Sequence, residues 1–214
     1  MRLSINQLLP LPLKEPYNSY NATVWGQDMV FNQGEHVLVL GPSGSGKTLL
    51  LETLYGLRKD FEGKIHWSAF NMHEISAAQL SQLRAASVSM VFQDMRLFDE
   101  LTVWDNIDIK RRLTDTVSAY DAEQWLIRLG MKEKLEVPVS TLSFGEQQRV
   151  AIVRALVQPF EWLLMDEPFS HLDFFNRQKA ISLIKEVAEY TRAGLMVTSV
   201  VENEDFIYDK KILL

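Results

Sequence analysis

Eight consecutive residues, Gly41-Pro42-Ser43-Gly44-Ser45-Gly46-Lys47-Thr48, combine three kinds of chemistry. The glycines let the backbone bend so that successive N–H groups point at one anion. A helix opening at Leu49 adds free N–H groups and the positive end of its dipole. Lys47 supplies a point charge of the right reach for the β and γ phosphates of a nucleotide, and Thr48 a hydroxyl suited to Mg²⁺. The pattern is G-x-x-x-x-G-K-[ST]. It carries meaning only between a strand and a helix. The apolar run His36 to Leu40 before it and Leu49 to Tyr55 after it provide that setting.

Other chemically loaded residues sit at the ends of apolar runs. Trp162 to Met165 reads as a buried parallel strand and is followed directly by Asp166 and Glu167. Two acids there are costly unless paired or bound to a cation. Asp166 suits the carboxylate that holds magnesium, and Glu167 suits positioning or deprotonating a water. Gln93 closes the β-rich run Val88 to Phe92, at the carboxyl end where open α/β sheets place ligand contacts. Ser143 precedes a helical stretch reaching about Val157. Either it is a helix cap alone, or the N–H groups it precedes also receive an anion. Tyr17 and Tyr20 are aromatic candidates for stacking on an adenine, or simply exposed rings.

The elements that must position these residues follow from periodicity. Residues 1–35 read as short strands and turns, with Leu3, Ile5, Val24, Met29 and Phe31 as apolar markers. Phe61 to Ser68 reads as a strand after a turn at Gly63, and Ser76 as the N-cap of a helix to Ala86. From 95 to about 157 the pattern turns helical; Ala122, Trp125, Leu126 and Leu129 repeat at helix spacing, and Trp104 and Trp125 read as core residues. Phe174 to Tyr190 reads as a long helix, Leu195 to Thr198 as a buried strand, and Phe206 to Leu214 as a short strand or hairpin arm. The resulting fold class is α/β: a mainly parallel sheet with an antiparallel β-subdomain and a helical insertion, within one domain over 1–214.

Composition narrows the setting. The chain has 214 residues, 47% of them hydrophobic and 23% charged, as expected for a soluble globular domain. A net charge of −6 gives no electrostatic case for a nucleic-acid partner. The absence of cysteine excludes disulfides and thiolate metal sites and fits a reducing compartment. Pro10 and Pro12 interrupt the apolar start, which makes a poor signal peptide, and no run of 18 apolar residues is present. If the protein works at a membrane, another chain supplies the spans.

Taken together, the motifs resemble the nucleotide-binding subunit of ATP-binding-cassette (ABC) transporters, in that family's order and over nearly the whole chain. Gly41 to Thr48 matches its Walker A. Gln93 matches the Q-loop, and Leu97 to Ile107 resembles the stretch that follows it. Leu142-Ser143-Phe144-Gly145-Glu146-Gln147 resembles the signature Leu-Ser-Gly-Gly-Gln, Leu163 to Glu167 resembles Walker B, and Ser170-His171-Leu172-Asp173 matches the D-loop. The resemblance implies a cytoplasmic ATPase, peripheral on the inner face of the cell membrane, working with transmembrane permease subunits. It implies a head-to-tail dimer with a second nucleotide-binding subunit, identical or different. In that dimer ATP and Mg²⁺ lie between Walker A of one copy and Ser143, Gly145 and Glu146 of the other. Thr48, Gln93 and Asp166 would hold the metal, Glu167 would be the catalytic carboxylate with Gln93 and Ser199 as the other catalytic positions, and the region after Gln93 would report closure to the membrane partners. A soluble ABC-type ATPase, or a slowly hydrolysing regulator uncoupled from transport, is the alternative.

The sequence departs from the family pattern in two places. Phe144 replaces the first signature glycine, tolerable if its ring points away from the phosphate. Ser199, followed by Val200, stands where the family usually carries a switch histidine thought to hold the γ-phosphate and the attacking water. Either hydrolysis is slow with Glu167 in place, or the subunit pairs with one whose site is intact.

Overall fold

The structure is a computed structural model, and it describes residues 1–13, 24–202 and 204–214. Tyr17 and Tyr20 lie outside the described residues.

The chain opens with β1 (Leu3–Pro10), then β2 (Asp28–Phe31) and β3 (His36–Leu40). The phosphate-loop motif feeds α1 (Lys47–Leu54), followed by β4 (Phe61–Trp67), β5 (Phe70–Asn71), α2 (Ala77–Ala86) and β6 (Val88–Val91). Helices α3 (Val103–Arg112), α4 (Ala119–Arg128) and α5 (Phe144–Leu156) come next, and then β7 (Trp162–Met165), α6 (Phe174–Thr191), β8 (Gly194–Ser199) and β9 (Lys210–Leu213). The central sheet is parallel throughout, in the order β6-β7-β8-β3-β9; the second is antiparallel, β2-β1-β4-β5. This is the α/β architecture expected from the alternation of apolar runs and helical stretches. Between β6 and β7 the chain is helical, with an isolated bridge from Thr102 to Pro138.

Two cores flank the parallel sheet. One lies under α3–α6, and the other joins α1 to the antiparallel sheet. Trp162 of β7 anchors the second: its ring meets Phe31 edge-on at 6.5 Å and Trp67 at 6.0 Å. Gly194 of β8 is a glycine because a Cβ there would lie 2.8 Å from the Trp162 ring. Trp104 and Trp125 sit at the rim of the helical core, half-buried, where an amphipathic ring is well accommodated.

One boundary differs from expectation. Gly63 lies inside β4, not in a turn before it. It has φ +88°, opposite a register shift in β1 between Asn6 and Leu9, and a Cβ would come 2.4 Å from the Gln7 carbonyl oxygen. A bulge in the partner strand, not a chain reversal, is what requires glycine. The terminal segment takes the first of its two expected forms, a short strand: Lys210–Leu213 pairs parallel to β3.

Candidate functional site

The site forms where β3, β7 and β8 end together. Register fixes this: Leu40 pairs with Ser199, and Met165 with Val197. The motif residues leaving β3 therefore sit beside those leaving β7 and β8, at the carboxyl edge of a parallel sheet. The main chain ties them, since Gly41 N–H donates to the Ser199 carbonyl at 3.1 Å.

The loop Gly41 to Gly46 curls ahead of α1, with Gly46 at φ +100° as its N-cap. No side chain caps this helix, so its first N–H groups are left facing the loop. Lys47 is buried. Its ammonium donates to the carbonyls of Gly41 at 2.8 Å and Pro42 at 2.9 Å and forms an ion pair with Glu167 Oε1 at 3.2 Å. The Ser45 hydroxyl is buried and finds no partner among the described residues.

Thr48, Gln93 and Asp166 line one cavity of about 350 Å³, together with Glu52, Arg96 and His171. The Thr48 hydroxyl donates to Gln93 Oε1 at 3.2 Å. Asp166 is 1% exposed; its Oδ1 accepts from the Thr198 hydroxyl at 2.7 Å, whereas Oδ2 is buried without a hydrogen bond among the described residues. Burial pushes the Asp166 carboxyl up, against the nearby Thr48 and Thr198 hydroxyls, while the charge of Glu167 adds to the rise and Lys47 opposes it. A buried carboxylate oxygen with no donor, beside a hydroxyl and an amide oxygen, fits a hard divalent cation, which takes oxygen ligands. Glu167 has φ +44°, and its N–H donates to Thr198 Oγ1 at 3.0 Å.

Thr198 thus holds both acids of the Asp166–Glu167 pair, a role that sequence reading did not assign. The signal was present: a hydroxyl follows the apolar run of β8. Gln148 was likewise missed. It is 1% exposed; its amide donates to the Glu167 carbonyl and Ser170 Oγ, both at 3.3 Å, and its carbonyl accepts from His171 N–H at 2.9 Å. Its place one turn before the buried Ile152 was the available clue.

Ser143 and Gly145 lie apart from these groups, in a second cavity of about 370 Å³ shared with Phe144, Arg149, His171 and Asp173. Ser143 caps α5 in a capping box with Glu146. Glu146, expected among the nucleotide contacts, is engaged in that cap. Its carboxylate accepts from Ser143 N–H at 2.9 Å and Oγ–H at 3.0 Å and pairs with Lys134 at 2.6 Å. The Lys134 bond first, then the Ser143 N–H, hold its carboxyl down to about 2, so it offers no donor to a phosphate. Gly145 lets the backbone of the 170–173 segment approach, since a Cβ would sit 2.7 Å from the His171 carbonyl oxygen. Phe144 is 69% exposed and stacks on the His171 ring at 5.4 Å. Ser199 lines a third cavity with Glu167 and Arg177; its hydroxyl donates to the Val201 carbonyl at 2.6 Å.

The profile of the family described as "ABC transporter" matches residues 26–170, covering the loop, both acids and the capped helix. The chain belongs to the ABC transporter family. It is 34% identical over 168 residues to an uncharacterized ABC transporter ATP-binding protein of Mycobacterium tuberculosis, a match covering 77% of this chain and 51% of that one. The chain thus spans about half the length of the mycobacterial relatives it matches. It is also 34% identical to the lipoprotein-releasing system ATP-binding protein LolD of Legionella pneumophila, over 81% of this chain and 78% of that one. A solved dimeric ATP-binding cassette in a post-hydrolysis state, bound to ADP and Pi, superimposes with a TM-score of 0.76 at 25% identity, over 92% of this chain and 87% of that one. A bacterial Atm1-family ABC exporter with ATP bound shares the fold, with a TM-score of 0.78 at 22% identity over 100% of this ABC domain and 36% of the exporter chain. Among the described residues no helix of the ABC domain is long and apolar enough to cross a membrane.

Proposed function

We propose that this chain is the ATP-hydrolysing subunit of a membrane transport complex. It would bind ATP and Mg²⁺ as a head-to-tail dimer at the inner face of the cell membrane, beside separate transmembrane partners. The observation that carries the reading is the convergence of Lys47, Thr48, Gln93, Asp166 and Glu167 at one sheet edge, with a bare buried oxygen on Asp166. The dimeric cassette with ADP and Pi supports the reading for a similar fold, and the LolD relative supports a place in transport.

The phosphates would be held by the N–H groups from Gly44 to Leu49 and by the Lys47 ammonium, and the α1 dipole would favour their charge. Thr48, Gln93 and Asp166 would hold Mg²⁺, which neutralises charge on the phosphate oxygens. As Lys47 turns from Glu167 to phosphate, the Glu167 carboxylate is released. It then accepts a proton from the water that attacks the γ-phosphorus, while the bond to the ADP oxygen breaks. Ser143 and the Gly145 N–H of a second copy would close the site from the other side. ATP would draw the copies together, and hydrolysis would separate them.

Steady-state phosphate release by the purified chain tests this. Glu167→Gln should bind ATP, lower turnover at least about 100-fold and accumulate an ATP-dependent dimer in sedimentation. Unchanged turnover in Glu167→Gln would refute the assignment. One observation favours a second reading, a slowly hydrolysing ATP-dependent regulator: the Ser199 hydroxyl is committed to Val201. On that reading Ser199→His raises phosphate release. Wild-type turnover matching that of the Ser199→His variant would exclude it.

A further inference from the structure

A cavity of about 450 Å³ opens where α4 meets the C-terminal ends of α5 and α6, and no residue of the nucleotide site lines it. Its floor is apolar: Leu156, Phe160 and Val187 are buried. Two larger rings complete the wall, Trp125 half-buried and Tyr190 91% exposed. The charged groups of the wall are acids only. Asp121 and Glu186 line it, and no lysine, arginine or histidine does among the described residues. Gln158, also in the wall, is 4% exposed. Its amide nitrogen donates to the Arg84 carbonyl at 2.8 Å and the Val88 carbonyl at 3.4 Å, which leaves its own carbonyl oxygen without a donor among the described residues.

Charge narrows what fits. Glu186 is already met by Arg128 at 2.6 Å. Asp121 is not: one of its oxygens accepts from the Ser118 hydroxyl at 2.6 Å, and it forms no ion pair among the described residues. The helices add to that single uncompensated acid. α5 ends at Leu156 and α6 at Thr191, both in the wall, and the negative ends of the two helix dipoles favour a cation there. The faces of the Trp125 and Tyr190 rings favour one as well, through their quadrupoles. An anion would meet only repulsion. A neutral apolar ligand would cover the floor and strip water from Asp121 without pairing it. A divalent metal ion takes several oxygen ligands, and Glu186, the second acid, is engaged by Arg128. A primary ammonium, as on a lysine, is strongly hydrated and would leave Leu156, Phe160 and Val187 in water. An ammonium bearing alkyl groups carries one charge on an apolar body and answers both the acid and the floor.

We propose that this cavity binds a small organic monocation, an alkylated ammonium ion, held by the rings of Trp125 and Tyr190 and by the Asp121 carboxylate. Its volume suits such a ligand, since small-molecule pockets run from about 300 to 1,000 Å³. The cavity shares no lining residue with the three around Thr48, Ser143 and Ser199, so its ligand is distinct from the nucleotide. Binding here is independent of the ATPase reading and needs no ATP.

The test uses fluorine NMR of the full chain labelled with fluorotryptophan, the Trp125 signal being assigned by its loss in Trp125→Phe. The probes are choline and its uncharged isostere, the dimethylbutanol in which carbon replaces nitrogen; they share one shape and differ in charge. Choline should shift the Trp125 signal with a Kd of about 1 mM or below. The alcohol should bind at least about tenfold more weakly. Tyr190→Ala and Asp121→Asn should each weaken choline about threefold or more. Thermal unfolding and ATP binding check that both variants keep the fold. An equal response to the two probes, no shift of the Trp125 signal by either, or wild-type affinity for choline in either variant overturns the proposal. So does N-acetyl-lysine methylamide binding about tenfold more tightly than choline, which would place the ammonium on a polypeptide. A chain that binds choline as expected but releases no phosphate refutes the ATPase reading and leaves this site standing.

Discussion

Thr198→Val removes one hydroxyl and keeps the shape of the side chain. In the structure that hydroxyl donates to Asp166 Oδ1 at 2.7 Å and accepts from Glu167 N–H at 3.0 Å, in a position 1% exposed to solvent. The first bond reaches a carboxylate, a class worth about 1.5–3 kcal/mol. Its loss also removes one of the two hydroxyls that oppose the effect of burial and raises further a carboxyl already pushed up. The second loss strands a backbone donor, at about 1–3 kcal/mol. Valine's better burial offsets part of this, so the net cost should be ~3 kcal/mol. For a chain of this length that corresponds to a fall in Tm of about 6–12 °C. The assay is thermal and urea unfolding of the nucleotide-free chain, with Thr198→Ser as the control that keeps both bonds and stays near wild type. A Thr198→Val variant within about 0.5 kcal/mol of wild type would refute the claim that this hydroxyl joins the two acids.

Gly63→Ala should cost about 3 kcal/mol in urea unfolding, because it combines φ +88° with a Cβ 2.4 Å from a main-chain oxygen. Gly145→Ala should push the His171 backbone from its place, since the added Cβ falls 2.7 Å from that carbonyl. ATP-dependent dimerisation should weaken more than ATP binding by the monomer, read by sedimentation and by nucleotide titration. The Glu146 carboxyl sits near 2 in the folded chain against an ordinary 4.5. Its folded value lies below its unfolded one, so its stabilising contribution is full above 4.5 and is lost as pH falls from 4.5 towards 2. Discounted for solvent screening, that is ~1–2 kcal/mol, visible as an acid limb in unfolding that Glu146→Gln flattens.

Much of the architecture could be read from local pattern. Apolar runs ending in Gly41, Gln93 and Asp166 predicted strands with ligand-facing ends, and the helical period after 95 predicted the insertion. These signals are local because a strand's burial and a helix's amphipathic face are written in neighbouring residues. Gly63 was misplaced because its positive φ serves a bulge in β1, more than fifty residues away, and no neighbouring residue reports that pairing.

The sequence by itself determined that a phosphate-binding loop is present, that two acids follow a buried strand, and that a serine caps the helix of a signature-like stretch. It also determined the departures at Phe144 and Ser199. Only the tertiary structure decided what these groups touch. It placed Lys47 on Glu167, Thr48 on Gln93 and Thr198 across both acids, because parallel pairing of β3, β7 and β8 brings together residues up to 159 positions apart. It bound Glu146 into the capping box of Ser143 and paired it with Lys134. Spacing along a chain sets which residues share one strand or helix. Which charge meets which depends on the register and packing of elements far apart in sequence.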